Sequence, residues 1–144
     1  MIHKYKKYYI PQVDEFDCGV ASLAMILKHY GSSVSLAYLR KIAKTTMEGT
    51  TALGIVKTAQ ELGLETQAVK ADMSLFEMKD ITYPFIAHVI KNGTLLHYYV
   101  VLKATSKYIL IADPAQEVGI TKMSYERFEE EWTGVTLFIA PGIE

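Results

Sequence analysis

A chain of 144 residues and 16.2 kDa has the size of one domain, and with half its residues hydrophobic and 22% charged it is not a disordered sequence. Its single cysteine excludes an internal disulfide and every zinc site that needs two or more thiolates. Fifteen basic and sixteen acidic residues leave a net charge of −1, without the basic excess of a nucleic-acid binder. Residues 1–9 carry three lysines but no apolar core of signal-peptide length, and the longest apolar stretch, 19–27, falls far short of the roughly 20 residues that span a bilayer. With no repeat, low-complexity tract or linker, residues 1–144 read as a single soluble, cytoplasmic domain that neither binds nucleic acid nor inserts into a membrane.

In chain order the helices come first. Asp17 is placed to cap a helix starting at Cys18, whose run 19–28 is apolar nearly all round, the mark of a central, buried helix, with Gly31 as its stop. Ser35 caps a second helix over 36–44 with Leu36, Leu39, Ile42 and Ala43 inward. Thr51 caps a third over 52–62, with Leu53, Val56, Ala59, Gln60 and Leu62 on its inner face. The period then changes. Residues 66–70 form a strand, 74–78 one helical turn, and 84–91 and 94–103 two strands joined at Asn92-Gly93, a strong hairpin signal. Strands over 107–112 and 118–122 follow, then a short helix capped by Ser124 and running to about 132, and a last strand over 135–140. Helices followed by an antiparallel meander read as α+β.

Cys18 lies where a thiol becomes reactive, because the unpaired N–H groups and positive dipole end of a helix N-terminus favour the thiolate. A small buried hydrophobe is the plainer reading of a lone cysteine. Asp17 beside it works against the thiolate unless its carboxylate faces away. A cysteine nucleophile needs a base. His3 lies in a polar tail and His29 in the last turn of the first helix, which leaves His88 and His97. A two-residue Asn92-Gly93 loop pairs Lys91 with Thr94 and sets His88 directly opposite His97. A three-residue loop at 104–106 then sets Asp113 opposite His97, whereas a two-residue loop turns Asp113 away. A His97–Asp113 contact would fix the imidazole tautomer and free the other ring nitrogen for the thiol. The same residues admit a rival reading in which His88, His97 and Asp113 ligate a metal, although their spacing matches no metal motif and leaves Cys18 unused.

Other features are read as structural. Residues 49–58 mimic a phosphate loop, but Ile55 and Val56 separate Gly54 from Lys57, and no strand precedes them. Glu129–Glu131 reads as the solvated face of a helix. The ten tyrosines read as packing residues, and Met25, Met73 and Met78 as core filler, with a peptide groove as the alternative.

Together these residues carry a resemblance. Gln12, then Asp17-Cys18, Ala21, Met25, Tyr30-Gly31 and Leu39-Arg40 resemble the cysteine motif of the bacteriocin-processing peptidases, the N-terminal domains of ABC transporters that export peptides with double-glycine leaders. His97-Tyr98-Tyr99-Val100-Val101 and Ile111-Ala112-Asp113-Pro114 resemble that family's histidine and aspartate motifs; Gly49-Thr50-Thr51 and Glu131-Trp132-Thr133-Gly134 also fit. The resemblance covers essentially the whole chain. It implies a papain-like fold with the cysteine on a central helix packed on an antiparallel sheet. It also implies Cys18 as nucleophile, His97 as base and then acid, Asp113 as the orienting carboxylate, and Gln12 as an oxyanion donor alongside the Cys18 N–H. The bare spacing gives Gln12 no role. No cofactor and no metal are implied. The implied substrate is a peptide precursor whose amphipathic helical leader ends in Gly-Gly, bound through an apolar patch and a cleft too narrow for larger side chains. The implied partners are the transmembrane and ATP-binding domains of the same exporter, which would hold this domain at the inner face of a bacterial membrane. Three rivals remain: a module that holds leaders without cutting, against which the presence of Cys18 argues; a transglutaminase-like acyltransferase; and the metal site.

Overall fold

Helix α1 (Cys18–His29) is apolar all round because it is enclosed all round, every residue from Cys18 to Leu27 being buried. The computed structural model describes residues 2–142; Met1, Ile143 and Glu144 lie outside the described residues, so the expected single domain is followed over 2–142. Helices α2 (Leu36–Ile42) and α3 (Ala52–Glu61) flank α1, and their expected caps form: Ser35 accepts from the Tyr38 N–H and Thr51 from the Gly54 N–H. The inner face of α3 is only in part the expected one. Ala59 is buried and Val56 and Leu62 pack against the core, but Gln60 is exposed, Leu53 is 62% exposed, and Ile55 and Thr58 are buried. The helix is rolled so that Ile55, not Leu53, meets the α1 core. The supposed polar tail is a 3-10 helix over Ile2–Tyr8 that packs Ile2 and Tyr5 against the same core.

Six antiparallel strands complete the fold: β1 (Leu64–Lys70), β2 (Phe85–Lys91), β3 (Leu95–Ala104), β4 (Ile109–Asp113), β5 (Gly119–Met123) and β6 (Trp132–Pro141), in the spatial order β1-β6-β2-β3-β4-β5. The chain's last strand lies between its first two, an arrangement that strand periodicity alone does not encode. One sheet face packs Ile86, Tyr98, Val100, Leu110 and Ala112 against the helices. The other packs Phe85, Val89, Tyr99, Val101 and Ile111 under helix α4 (Tyr125–Glu131) and the 3-10 turn Met73–Glu77. Covering both faces explains why β4 is buried at every position and shows no alternation of apolar and polar residues. Met25 is core filler as expected and Met73 packs on the second core, but Met78 is 61% exposed. Glu131 is also misplaced by the simple reading. It is 6% exposed and accepts from Tyr99 Oη at 3.1 Å and from Arg127 Nε at 2.8 Å.

The hairpin register differs by one residue from expectation. Asn92 and Gly93 adopt positive φ of 52° and 76°, and the Thr94 N–H donates to Lys91 O, as in a tight turn. Thr94 stays out of the ladder, however, and Lys91 pairs with Leu95. One added loop residue exchanges the faces, so His88 lies opposite Tyr98 and His97 opposite Val89. The β3–β4 connection differs too. Ala104 pairs with Ile109, and a bulge between Val101 and Lys103 shifts the register again, so that Val100 pairs with Ala112. Asp113 continues the ladder beyond Ala112 and is therefore not opposite His97.

Candidate active site

Cys18 occupies the first turn of α1, is 7% exposed, and opens on a cleft of about 550 Å³ shared with Phe16, Thr50, His88, Leu96 and Tyr98. As the first helical residue it has a backbone N–H with no intrahelical acceptor. Asp17 does not cap this helix: its φ of −93° and ψ of 1° are not those of a capping residue, and its side chain makes no capping hydrogen bond. The fully buried carboxylate turns away instead. Oδ2 accepts from the Asp14 N–H, and Arg40 grips both oxygens, Nε to Oδ1 and Nη2 to Oδ2, each at 2.9 Å. The charge feared beside the thiol is thereby neutralised by a bidentate cation. Arg40 enters the sequence reading only as part of the family motif.

His97 and Asp113 meet although they are not cross-strand partners. His97 Nε2 lies 2.7 Å from Asp113 Oδ1 in a buried contact, bridging the diagonal offset between neighbouring strands. Asp113 is itself held firmly. Lys91 Nζ contacts Oδ2, the Ala115 N–H donates to Oδ1 at 2.8 Å, and Tyr9 Oη donates to the Asp113 backbone carbonyl at 2.6 Å. With Nε2 occupied, Nδ1 is the His97 nitrogen left for the thiol. Burial pulls the imidazole pKa down, but the Asp113 hydrogen bond, the interaction with Cys18 and the charges of both outweigh it and raise His97 to about 9. Burial likewise pushes Asp113 up, and the His97, Lys91 and Ala115 hydrogen bonds overcome it and hold the carboxyl below its ordinary range.

Gln12 is fastened to the same locus. Its N–H donates to Pro114 O at 2.8 Å, tying the segment before Cys18 to the residue after Asp113. Its side-chain Oε1 is buried without a hydrogen-bond partner among the described residues. The structure thus brings Cys18, His97 and Asp113 together and ties the Gln12 backbone to Pro114 beside them. Sequence reasoning missed Lys91 and Tyr9, neither of which lies in a recognisable motif. Residues 49–51, the start of the stretch that mimics a phosphate loop, form a wall of the cleft together with 46–48. His88 is engaged elsewhere, with Nδ1 3.0 Å from Thr133 Oγ1, and no group of three His, Cys, Asp or Glu among the described residues is placed to hold a metal ion.

A thiol at the start of a buried helix, facing a His–Asp pair on an antiparallel sheet, is the arrangement of a papain-like cysteine peptidase. The chain belongs to the Peptidase C39 family, whose pattern matches residues 6–144. It is 63% identical over 136 residues, 94% of its own length, to the transport/processing ATP-binding protein ComA of Streptococcus pneumoniae. It is 62% identical over 141 residues to the mesentericin-Y105 transport/processing ATP-binding protein MesD of Leuconostoc mesenteroides, covering 98% of this chain. In each case the chain spans 19% of the relative's length. Among solved structures, the peptidase domain of Streptococcus ComA superposes with a TM-score of 0.89 at 55% identity, covering 92% of this chain and 97% of that one. A double glycine motif protease from an AMS/PCAT transporter, in complex with its leader peptide, superposes with a TM-score of 0.83 at 33% identity, covering 92% and 90%.

Proposed function

We propose that this domain is a thiol endopeptidase that removes the leader from a secreted peptide precursor by cutting after a Gly-Gly pair, as one part of an ABC exporter of competence or bacteriocin-type peptides. The observation that carries this reading is the placement of Cys18 between an open cleft and the buried His97–Asp113 pair. The Cys18 thiolate adds to the carbonyl carbon of the second glycine, and the oxyanion that forms is met by the Cys18 N–H and the Gln12 side-chain amide. As the C–N bond breaks, the His97 imidazolium gives its Nδ1 proton to the departing amine, leaving a thioester. His97 then takes a proton from water as the water oxygen attacks the thioester carbonyl, and the thiolate leaves. Asp113 holds the ring in one tautomer and stabilises the imidazolium throughout.

The cleft also fits a peptide with an apolar leader. Met47, Leu95 and Leu96 line it and are 88%, 57% and 63% exposed, an apolar rim on which the hydrophobic face of a helix can lie. No helix among the described residues is long and apolar enough to cross a membrane. In this reading the transmembrane and ATP-binding parts of the exporter hold the domain at the cytoplasmic face. Mass spectrometry of a leader peptide ending in Gly-Gly plus a short extension, incubated with the domain under reducing conditions, tests the reading. Scission after the second glycine, abolished by Cys18→Ala, is the expected result. An intact bound peptide would instead indicate a leader-holding module, and scission surviving Cys18→Ala would remove the thiol mechanism.

A further inference from the structure

We propose that His88 is a substrate-binding residue that accepts a hydrogen bond from a backbone N–H of the peptide lying beside Cys18; this deepens, and rests on, the peptidase reading. Thr133, in β6, makes three hydrogen bonds that together fix the His88 ring. Thr133 Oγ1 donates to the His88 carbonyl oxygen at 3.0 Å and accepts from the Val135 N–H at 3.2 Å. It also lies 3.0 Å from His88 Nδ1. A hydroxyl has one proton and two lone pairs. With its proton on the carbonyl, Thr133 can only accept from Nδ1, so Nδ1 carries the ring proton and Nε2 a lone pair. Nε2 has no hydrogen-bond partner among the described residues, and His88 lines the cleft together with Cys18 and with Tyr98, whose ring it meets edge-on at 5.0 Å. Burial first, then the neighbouring His97 charge, hold the His88 pKa below its usual value and keep the ring neutral.

The chemistry of the substrate supplies the need for such an acceptor. A Gly-Gly segment has no side chain to read, so recognition beyond steric exclusion must use its backbone. The reacting carbonyl is met by the oxyanion donors, but the peptide N–H groups lose water on entering the cleft and require acceptors. A fixed, neutral imidazole nitrogen is one. It would be absent if the ring were protonated or held in the other tautomer.

Precursor-derived peptides in which one amide near the cut is replaced by an ester, N–H becoming O with little change in bulk, test the proposal against the wild-type domain and His88→Phe. One ester position should raise KM roughly tenfold for wild type with kcat little changed, because the bond is made equally in ground and transition states. His88→Phe should show the raised KM with every peptide and be indifferent to that ester. Esters that affect both proteins equally would overturn the proposal. Nitrogen-15 NMR of the Cys18→Ala domain provides a reading that does not depend on how well His88→Phe folds. His88 Nε2 should be unprotonated in the free domain and should shift on binding the all-amide peptide but not the critical ester. A protonated Nε2, or one indifferent to peptide, would overturn the proposal. Failure of the wild-type domain to cut the all-amide peptide would instead reject the peptidase reading, and the NMR measurement separates the two.

Discussion

His97 Nε2 and Asp113 Oδ1 lie 2.7 Å apart, yet neither residue is the ladder partner of the other. The contact is diagonal, and the Lys91 ammonium and the Ala115 N–H hold the carboxylate in place for it. Asp113→Ala should therefore lower kcat roughly 10²-fold or more. Peptide affinity, measured by calorimetry on the Cys18→Ala background, should change little, because Asp113 is fully buried. An unchanged kcat would exclude Asp113 from the reaction.

The raised His97 and lowered Asp113 values set a stability window. His97 rises from 6.5 to about 9, so its contribution is complete below pH 6.5 and is lost as pH climbs through about 9. Asp113 is lowered from 3.8, so its contribution is present above that value and is lost as pH falls through the depressed one. Unfolding free energy from urea titrations should fall by on the order of 2 kcal/mol between about pH 7 and pH 10, and His97→Ala should abolish most of that fall.

Lys91 competes with His97 for the same carboxylate. Replacing it with Met removes a cation near the imidazolium and leaves Asp113 wholly to His97. The alkaline limb of the kcat/KM profile should move to higher pH in Lys91→Met and stay in place in Lys91→Arg. A downward shift would show that Lys91 supports the imidazolium instead of opposing it.

Arg40 neutralises a carboxylate that is fully buried next to the proposed nucleophile. Arg40→Met leaves that charge unpaired, and because the arginine side chain is 31% exposed the expected loss is about 2–3 kcal/mol, below the range for a fully buried pair. Asp17→Asn in the same chain should restore much of the stability. Equal losses in the single and double variants would place the effect in the packing of the arginine stem.

Gly134 has φ of +94°, and a Cβ there would stand 2.6 Å from the Ala71 carbonyl oxygen, part of the backbone that continues β1 beside β6. Gly134→Ala should cost at least about 2 kcal/mol in urea unfolding, since neither the backbone angle nor the neighbouring strand can yield cheaply. It should also raise KM, because Thr133, which fixes His88, is the preceding residue.

Helix starts were the most legible part of the chain. Ser35, Thr51 and Ser124 each cap the expected helix because capping is a contact between a side chain and a backbone group two or three residues away. Asp17 shows the limit of that local rule. A capping residue by type, it is turned from the helix by an arginine distant in sequence. The phase of α3 is only partly legible for a related reason. Its hydrophobic residues lie on more than one face, and only contact with α1 selects Ile55 over Leu53.

The site was legible as a set of residues but not as a geometry. Local chemistry singled out Cys18 at a helix start, and His97 and Asp113 at strand ends. The family motif added Gln12, whose side-chain type and spacing alone give it no role. The sequence by itself therefore determined which groups are available for chemistry and which segments are helices and strands, because those depend on composition and short-range contacts. Tertiary structure decided how the groups meet. The Thr94 loop residue and the Val101–Lys103 bulge set which faces His88, His97 and Asp113 occupy. The insertion of β6 between β1 and β2 brings Thr133 to His88. A one-residue slip in a strand costs little locally but exchanges every side chain between faces, so only the packing of both faces of the sheet selects the register.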